Sequence, residues 1–307
     1  MKFEFFLAKR IISAKAYKSS ISAPIIKIGI VAIALSVIVM LVSISTGIGL
    51  QNEIRDKVSA FNGHIKISNF DNNNSEESLS PINVSKTLIQ GLDSINNIKS
   101  INQTALKFGI IRTSEDFDGA LFKGVDSTYN WGNISEYIIS GLRPNITSLT
   151  SNEALISDNL SNKLDLKIND SFQMVFSRNL ESKVIIRKFN IVGLYDSGFN
   201  EIDENIIFGD IKHLRRINNW GSNQSGELEI FIDDFNLIVE TSRKIYEYTP
   251  SNYNSVNIKQ KYSSIFDWIQ IFDKNIIAIL FIMVLVCSIN IISVLLVLIL
   301  ERTNMIG

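Results

Sequence analysis

The sequence predicts a membrane protein in which two transmembrane α-helices flank one mixed α+β domain. Three observations lead there. Residues Ile28–Leu50 and Asn275–Leu300 are uncharged and predominantly apolar. At about 1.5 Å of rise per residue they extend roughly 34 and 39 Å, against a hydrocarbon core of about 30 Å. The 223 residues between them, 51–273, are polar on balance and alternate between helix-like and strand-like periodicity.

Charge sets the direction of threading. Residues 1–27 carry six Lys/Arg (Lys2, Lys9, Arg10, Lys15, Lys18, Lys27) against Glu4 alone. Residues 51–273 hold 22 basic and 29 acidic side chains, and the remainder holds Lys274, Arg302 and Glu301. Cationic flanks stay in the cytoplasm, so the N-terminus is expected inside and the large domain outside. The near-neutral net charge of −1 gives no reason to expect a nucleic-acid partner. A cleaved leader fits poorly: the first apolar run exceeds an h-region of about 7–15 residues, and no small-x-small site closes it. The only cysteine, Cys287, lies in the second run, so the domain between the runs must be held by its core and not by disulfides.

In chain order, residues 1–23 place Phe3, Phe6, Leu7 and Ile11 on one side of a helix and Lys2, Lys9 and Lys15 largely elsewhere. That suits an amphipathic helix at the inner interface, and equally a plain positive-inside flank. Pro24 can open the first membrane helix, 24–50. Within it Ala32, Ser36, Met40, Ser43 and Gly47 share a face, which reads as close helix packing or as a ligand-contacting stripe.

The domain over 51–272 begins with a strand at Gly63–Asn69. A polar loop at Asp71–Ser80, closed by Pro81, leads to a helix at Ser85–Ile95. Strands are expected at Ser100–Ile111 and Ala120–Val125. Another at Glu153–Ser157 ends on an N-cap serine, with a short helix at Asp158–Leu164. Ser171–Phe176 and Val184–Leu194 pair as a hairpin across the turn Ser177–Ser182. Helices at Asp210–Asn218 and Asp234–Tyr248 enclose a strand at Glu227–Ile232. From Tyr262 the spacing of Ile265, Ile269, Phe272 and Ile276 predicts a stalk continuous with the second membrane helix, 273–300. Trp268 and Phe272 would lie near the outer interface.

Signs of catalysis are missing. No phosphate-binding loop ending in Lys-Ser/Thr occurs, nor a Gly-x-Ser-x-Gly elbow. Two histidines far apart, His64 and His213, and one cysteine support no ordinary zinc site. Glu201, Asp203, Glu204, Asp233 and Asp234 lack the dense spacing of a calcium loop. The chain is read as a non-enzyme with no metal site or cofactor of its own.

The inner end of the second run carries a resemblance. Glu301-Arg302-Thr303-Asn304-Met305-Ile306-Gly307 resembles the Glu-Arg-Thr-x-x-Ile-Gly signature of ABC permeases with a MacB-like outer domain. More narrowly the chain is similar to the lipoprotein-releasing permeases of the LolC/LolE type. Supporting stretches are Phe6-Leu7-Ala8-Lys9-Arg10, Gln51–Asp71, Lys123-Gly-Val-Asp126, Ile156-Ser157, Leu166–Asp170, and Phe189–Gly198 with Asp203. They run in order along all 307 residues.

The resemblance implies a permease subunit of the inner membrane of a diderm bacterium, with a periplasmic domain of MacB-like core type. Such chains pair with a second, identical or paralogous permease and with an ABC ATPase that holds the ATP and Mg. They move a lipoprotein from the membrane lipids toward a periplasmic carrier. The family's carrier-binding hairpin corresponds to Phe176–Ile185, where the turn in this chain is short and polar. An acyl cavity is expected along Met40, Ser43 and Gly47 and along Ile279, Phe281 and Ile282. Glu301, Arg302, Thr303, Ile306 and Gly307 would open the cytoplasmic coupling region, 301–307. Family members continue with a coupling helix and two further spans, so the sequence is expected to be a fragment. Two readings compete: a MacB-like efflux or mechanotransmission permease, and a two-span periplasmic sensor.

Overall fold

The computed structural model describes residues 22–73, 75–177 and 184–306, together with Phe3 and Phe6. Most of the predicted amphipathic segment 1–23, the tip of the hairpin beyond Ser177, and Gly307 lie outside the described residues. The chain divides into two units, one comprising Met1–Ile54 with Ser264–Gly307 and the other Arg55–Ser263.

The first unit is helical. Helix α1 (Ser22–Asn62) and the last helix, α8 (Ser263–Ile306), are both long and apolar enough to cross a membrane. Neither stops where its apolar run stops. Helix α1 continues through Gln51–Asn62 because Ile54, Val58 and Phe61 keep helical spacing among polar residues. The expected end at residue 50 marked the edge of the apolar run, not of the helix. Helix α8 starts one residue later than Tyr262, which is the C-cap of a separate short helix.

Within this unit the two helices run antiparallel. Gly29 packs against Val294 and Gly47 against Ile276, each close enough that an added Cβ would overlap the partner side chain. Gln51 donates from Nε2 to Asp273 at 2.7 Å. The half-buried residues of α8, among them Ile276, Leu280, Met283, Cys287, Asn290 and Val294, recur at steps of three and four. This is the seam of a helix pair, with small residues of α1 admitting larger ones of α8.

The second unit is mixed α/β. Its elements are β1 (Ile65–Asn69), β2 (Ile82–Asn83), α2 (Lys86–Asp93), β3 (Ile98–Arg112), β4 (Phe117–Val125), β5 (Ile138–Gly141), β6 (Glu153–Ser157) and α3 (Asp158–Lys163). There follow β7 (Ser171–Ser177), β8 (Val184–Tyr195), α4 (Asn200–Asp203), β9 (Ile206–Asp210), α5 (Ile211–Asn218), β10 (Gln224–Ser225), β11 (Glu227–Ile232), α6 (Ile238–Tyr248), β12 (Tyr253–Asn257) and α7 (Ile258–Lys261).

Ten strands form one sheet in the order β12-β1-β11-β3-β4-β9-β6-β8-β5, with β7 bridging β3 and β8. Strands β3, β4, β9, β6, β8 and β7 therefore close into a circuit. Alternating residues of all six strands, including Phe122, Ile156, Met174, Phe176, Phe189 and Ile207, share one core with α3 and α5. The pairs β4/β9 and β6/β8 are parallel, the rest antiparallel. Gly124 allows α5 to lie directly on β4: a Cβ there would stand 2.7 Å from Ile211 Cα. Most predicted elements recur with small changes of boundary. Ser157 does cap α3, accepting from Leu160 N–H at 3.1 Å.

Candidate functional site at the end of the first helix

The most unusual chemistry in the α/β unit surrounds the last turn of α1. Val58, Ser59, Ala60 and Phe61 are all buried, so this turn is enclosed on every side. Gly63, with φ of +72°, ends the helix and donates its N–H to Ser59 C=O at 2.7 Å. A Cβ on Gly63 would lie 3.1 Å from Glu229 Cβ, which places the helix end against β11.

A helix end leaves carbonyls without partners and carries partial negative charge. The last turn of α1 holds no basic residue of its own. Lys123, near the C-terminal end of β4, supplies the cation. Its Nζ donates to Phe61 C=O at 2.6 Å and to Glu229 Oε1 at 2.6 Å. Glu229 faces Lys66 across β1/β11 and Asn102 across β11/β3. Lys66 Nζ lies 2.9 Å from Glu227 and 3.6 Å from Glu229, and Thr104 donates to Glu227 at 3.3 Å. Two ammonium groups and two carboxylates thus form a buried, charge-balanced quartet. A charge out of water is costly unless paired and hydrogen-bonded. Every charge here is paired, and Glu229 Oε2 alone among the carboxylate oxygens of the quartet is buried without a hydrogen bond.

The electrostatics follow from burial and pairing. For Lys66, burial works to lower the pKa, but Glu227 and Glu229 outweigh it and raise it. For Glu227, burial works upward while Lys66, Lys261 and Lys123 together bring it down to about 2. Lys123 is lowered, because burial and the like charge of Lys66 together exceed the pull of its carboxylate neighbours.

Aromatic rings complete the socket. Phe61 packs on Tyr137 and Tyr195 with centroids 5.4 Å apart, and on Phe208 at 6.0 Å. Lys123 Nζ stands 5.5 Å from the Phe208 ring centroid. The segment leading to α8 is tied to the same turn. Tyr262 donates its hydroxyl to Asn62 Oδ1 at 2.8 Å, and Ile258 N–H donates to His64 C=O at 2.9 Å. A capping box between Asn257 and Gln260 fixes α7 just before it.

The residues singled out from sequence fall elsewhere. Gly47 is buried in the helix seam under Ile276, and Met40 and Ser43 are half-buried along the same face. Ile279, Phe281 and Ile282 are 45%, 64% and 58% exposed. A Cβ added at Gly47 would meet Ile276 and none of these three. Glu301, Arg302, Thr303 and Ile306 lie on the last turns of α8.

Sequence reasoning missed the quartet, although one signal was present. Lys66, Lys123, Glu227 and Glu229 sit inside strands rich in apolar residues. Had both faces of those strands been recognised as covered, these charges would have required buried partners.

Two apolar, membrane-length helices flanking a mixed α/β unit define the class: a membrane protein with a large polar domain inserted between its helices. The chain is similar to the lipoprotein-releasing system transmembrane protein LolC of Buchnera aphidicola subsp. Schizaphis graminum, at 25% identity over 287 residues, 91% of this chain and 68% of that protein. The resemblance expected from the sequence is thus met by a curated relative aligned along nearly the whole chain. No family model matches. Among solved structures it is similar to the extracellular domain of the noncanonic ABC-type transporter YknZ from Gram-positive bacteria. That likeness has a TM-score of 0.41 and 15% identity, over 63% of this chain and 99% of that one. The periplasmic region of MacB from Actinobacillus actinomycetemcomitans gives a TM-score of 0.41 at 11% identity, over 66% and 91%.

Proposed function

We propose that the chain is a permease subunit of an ABC transporter that extracts lipoproteins from the inner membrane for transfer toward the outer membrane. The reading rests on the alignment with LolC over 91% of the chain, in a protein with two membrane-length helices around an α/β unit. In it the N-terminus is cytoplasmic and the α/β unit periplasmic, as the basic N-terminal flank favours. A separate ATPase subunit carries ATP and Mg, and a second permease chain completes the membrane part.

The physical task explains the apolar surfaces. Each acyl CH₂ held in the bilayer contributes about 0.8 kcal/mol, so three ordinary acyl chains are retained by roughly 30 kcal/mol or more. Extraction needs an apolar route throughout. Ile279, Phe281 and Ile282 are the residues proposed to face the acyl chains. The face of Met40, Ser43 and Gly47 would brace α8 from the seam, or join the route where the seam parts.

The test is co-expression with the ATPase and partner permease candidates, copurification, and reconstitution in proteoliposomes loaded with a triacylated lipoprotein. ATP-dependent appearance of lipoprotein with a soluble periplasmic carrier is expected. An ATP-hydrolysing complex that releases none would overturn the lipoprotein assignment in favour of another envelope substrate. Autophosphorylation without any ATPase partner would overturn the permease reading and favour the sensor.

A further inference from the structure

We propose that Lys123 is a positioning residue that pins the end of α1 to the sheet, so that displacement of this helix moves β11, β1 and the Tyr262 segment as one body. The proposal rests on the permease reading for its functional consequence and on geometry alone for the pin itself. One ammonium group is bonded at 2.6 Å both to the helix-terminal carbonyl of Phe61 and to the carboxylate of Glu229. Glu229 belongs to β11, which pairs with β1 and β3, and β1 carries Lys66 of the same quartet. The next residue of α1, Asn62, is held by Tyr262, the last residue before α8. Helix end and sheet centre thus share a buried set of polar bonds, and a half-buried bond on the next residue ties in the approach to α8.

Apolar packing alone would resist separation but allow sliding, since burial is non-directional. Charge-assisted bonds at fixed geometry resist sliding as well. That is the property a transmitting joint requires. Such a joint also needs carbonyl and carboxylate to be engaged together, as Lys123 does here.

The experiment uses the full chain with its partners. Lys123→Met alone leaves Glu229 with only the longer Lys66 contact, so the deciding variant is Lys123→Met with Glu229→Gln, which removes both charges together. Spin labels at Asp56→Cys and Asp93→Cys, in a Cys287→Ser background, report by pulsed EPR the helix end against α2, which packs on β3. The parent should give one narrow distance distribution. The double variant should fold with its melting point within a few degrees and at least double the width. Lipoprotein released per ATP hydrolysed should fall about tenfold, with the ATPase rate unchanged within twofold. An unchanged width in the folded double variant overturns the pin. A doubled width with unchanged release per ATP overturns its role in coupling. If the parent itself hydrolyses ATP but releases no lipoprotein, the lipoprotein assignment fails, and the EPR arm still decides whether Lys123 fixes α1.

Discussion

Gly47 of α1 and Ile276 of α8 approach so closely that a side chain on the glycine would displace the isoleucine, and Gly29 and Val294 repeat the relationship. The two contacts are eighteen residues apart on each helix, about five turns of 3.6 residues. One antiparallel register satisfies both. Glycine serves here by its size, letting the helix backbones approach in a setting where no water drives them together.

The register can be read by a disulfide. Seven residues on from Gly29 and seven back from Val294, it places Ser36 opposite Cys287, the only cysteine of the chain. Ser36→Cys should therefore form an intramolecular bond with Cys287 when membranes are oxidised. Val37→Cys, on the exposed side, should form none. Non-reducing gels and mass spectrometry distinguish the two, and equal yields would rule out this register.

The same pair predicts an asymmetry between the glycines. Val294 is β-branched and stiff at χ1, whereas Ile276 meets Gly47 chiefly through its flexible tip. Gly29→Ala should weaken the seam by about 1–3 kcal/mol through overpacking, and Gly47→Ala by less. The Ser36→Cys cross-linking rate in each background measures the difference.

Much of this architecture was legible because periodicity reports burial directly. The Glu153–Ser157 strand with its capping serine and the β7–β8 pair follow from alternation and turn chemistry at single residues. The closed strand circuit was not legible, since β7 bridging β3 and β8 depends on contacts far apart in sequence. Nor was the extension of α1 to Asn62, because hydropathy falls at Leu50 while helical spacing does not. The socket combines both blind spots. Phe61, Lys123 and Glu229 come from three distant segments, and each alone looks like an ordinary strand or loop residue.

Ser157 tests a buried cap with two duties. Its hydroxyl oxygen accepts from Leu160 N–H, and its proton is donated to Asp203 C=O. Ser157→Ala removes both bonds and leaves a buried carbonyl short of a partner, which should cost about 1–3 kcal/mol. Ser157→Thr keeps the hydroxyl and should lose less. Denaturant midpoints of the two variants in detergent give the comparison.

Phe61 tests the socket itself. Its ring is buried among Tyr137, Tyr195 and Phe208, so Phe61→Ala should cost about 3–5 kcal/mol by emptying that space. Faster hydrogen exchange should then concentrate at residues 58–62 and along β11. Exchange that accelerates uniformly across the sheet instead would argue against a local socket.

His64 gives the α/β unit a defined acid sensitivity. Its Nδ1 accepts from Ile232 N–H at 3.0 Å, and its ring packs against Phe231 and Phe235 at 5.6 Å. A proton on Nδ1 would turn that acceptor into a donor facing a donor. Burial lowers the pKa to about 4, with Arg55 and Lys99 acting in the same direction and Asp56 against them. Above pH 6.5 the imidazole is neutral in both folded and unfolded chains, and it contributes no pH dependence. Between pH 6.5 and 4 only the unfolded chain takes up the proton, so stability should fall, by at most about 3 kcal/mol from this group. Glu227, held at about 2, adds a separate loss as pH falls from the ordinary glutamate value toward 2. His64→Asn keeps a side-chain acceptor for Ile232 and does not titrate. Its stability should therefore fall less steeply than the parent's between pH 6.5 and 5, the slope that remains coming from groups such as His213, whose pKa burial also lowers. Denaturant midpoints taken across that interval decide the matter, and parallel slopes for parent and variant would assign the sensitivity to other groups.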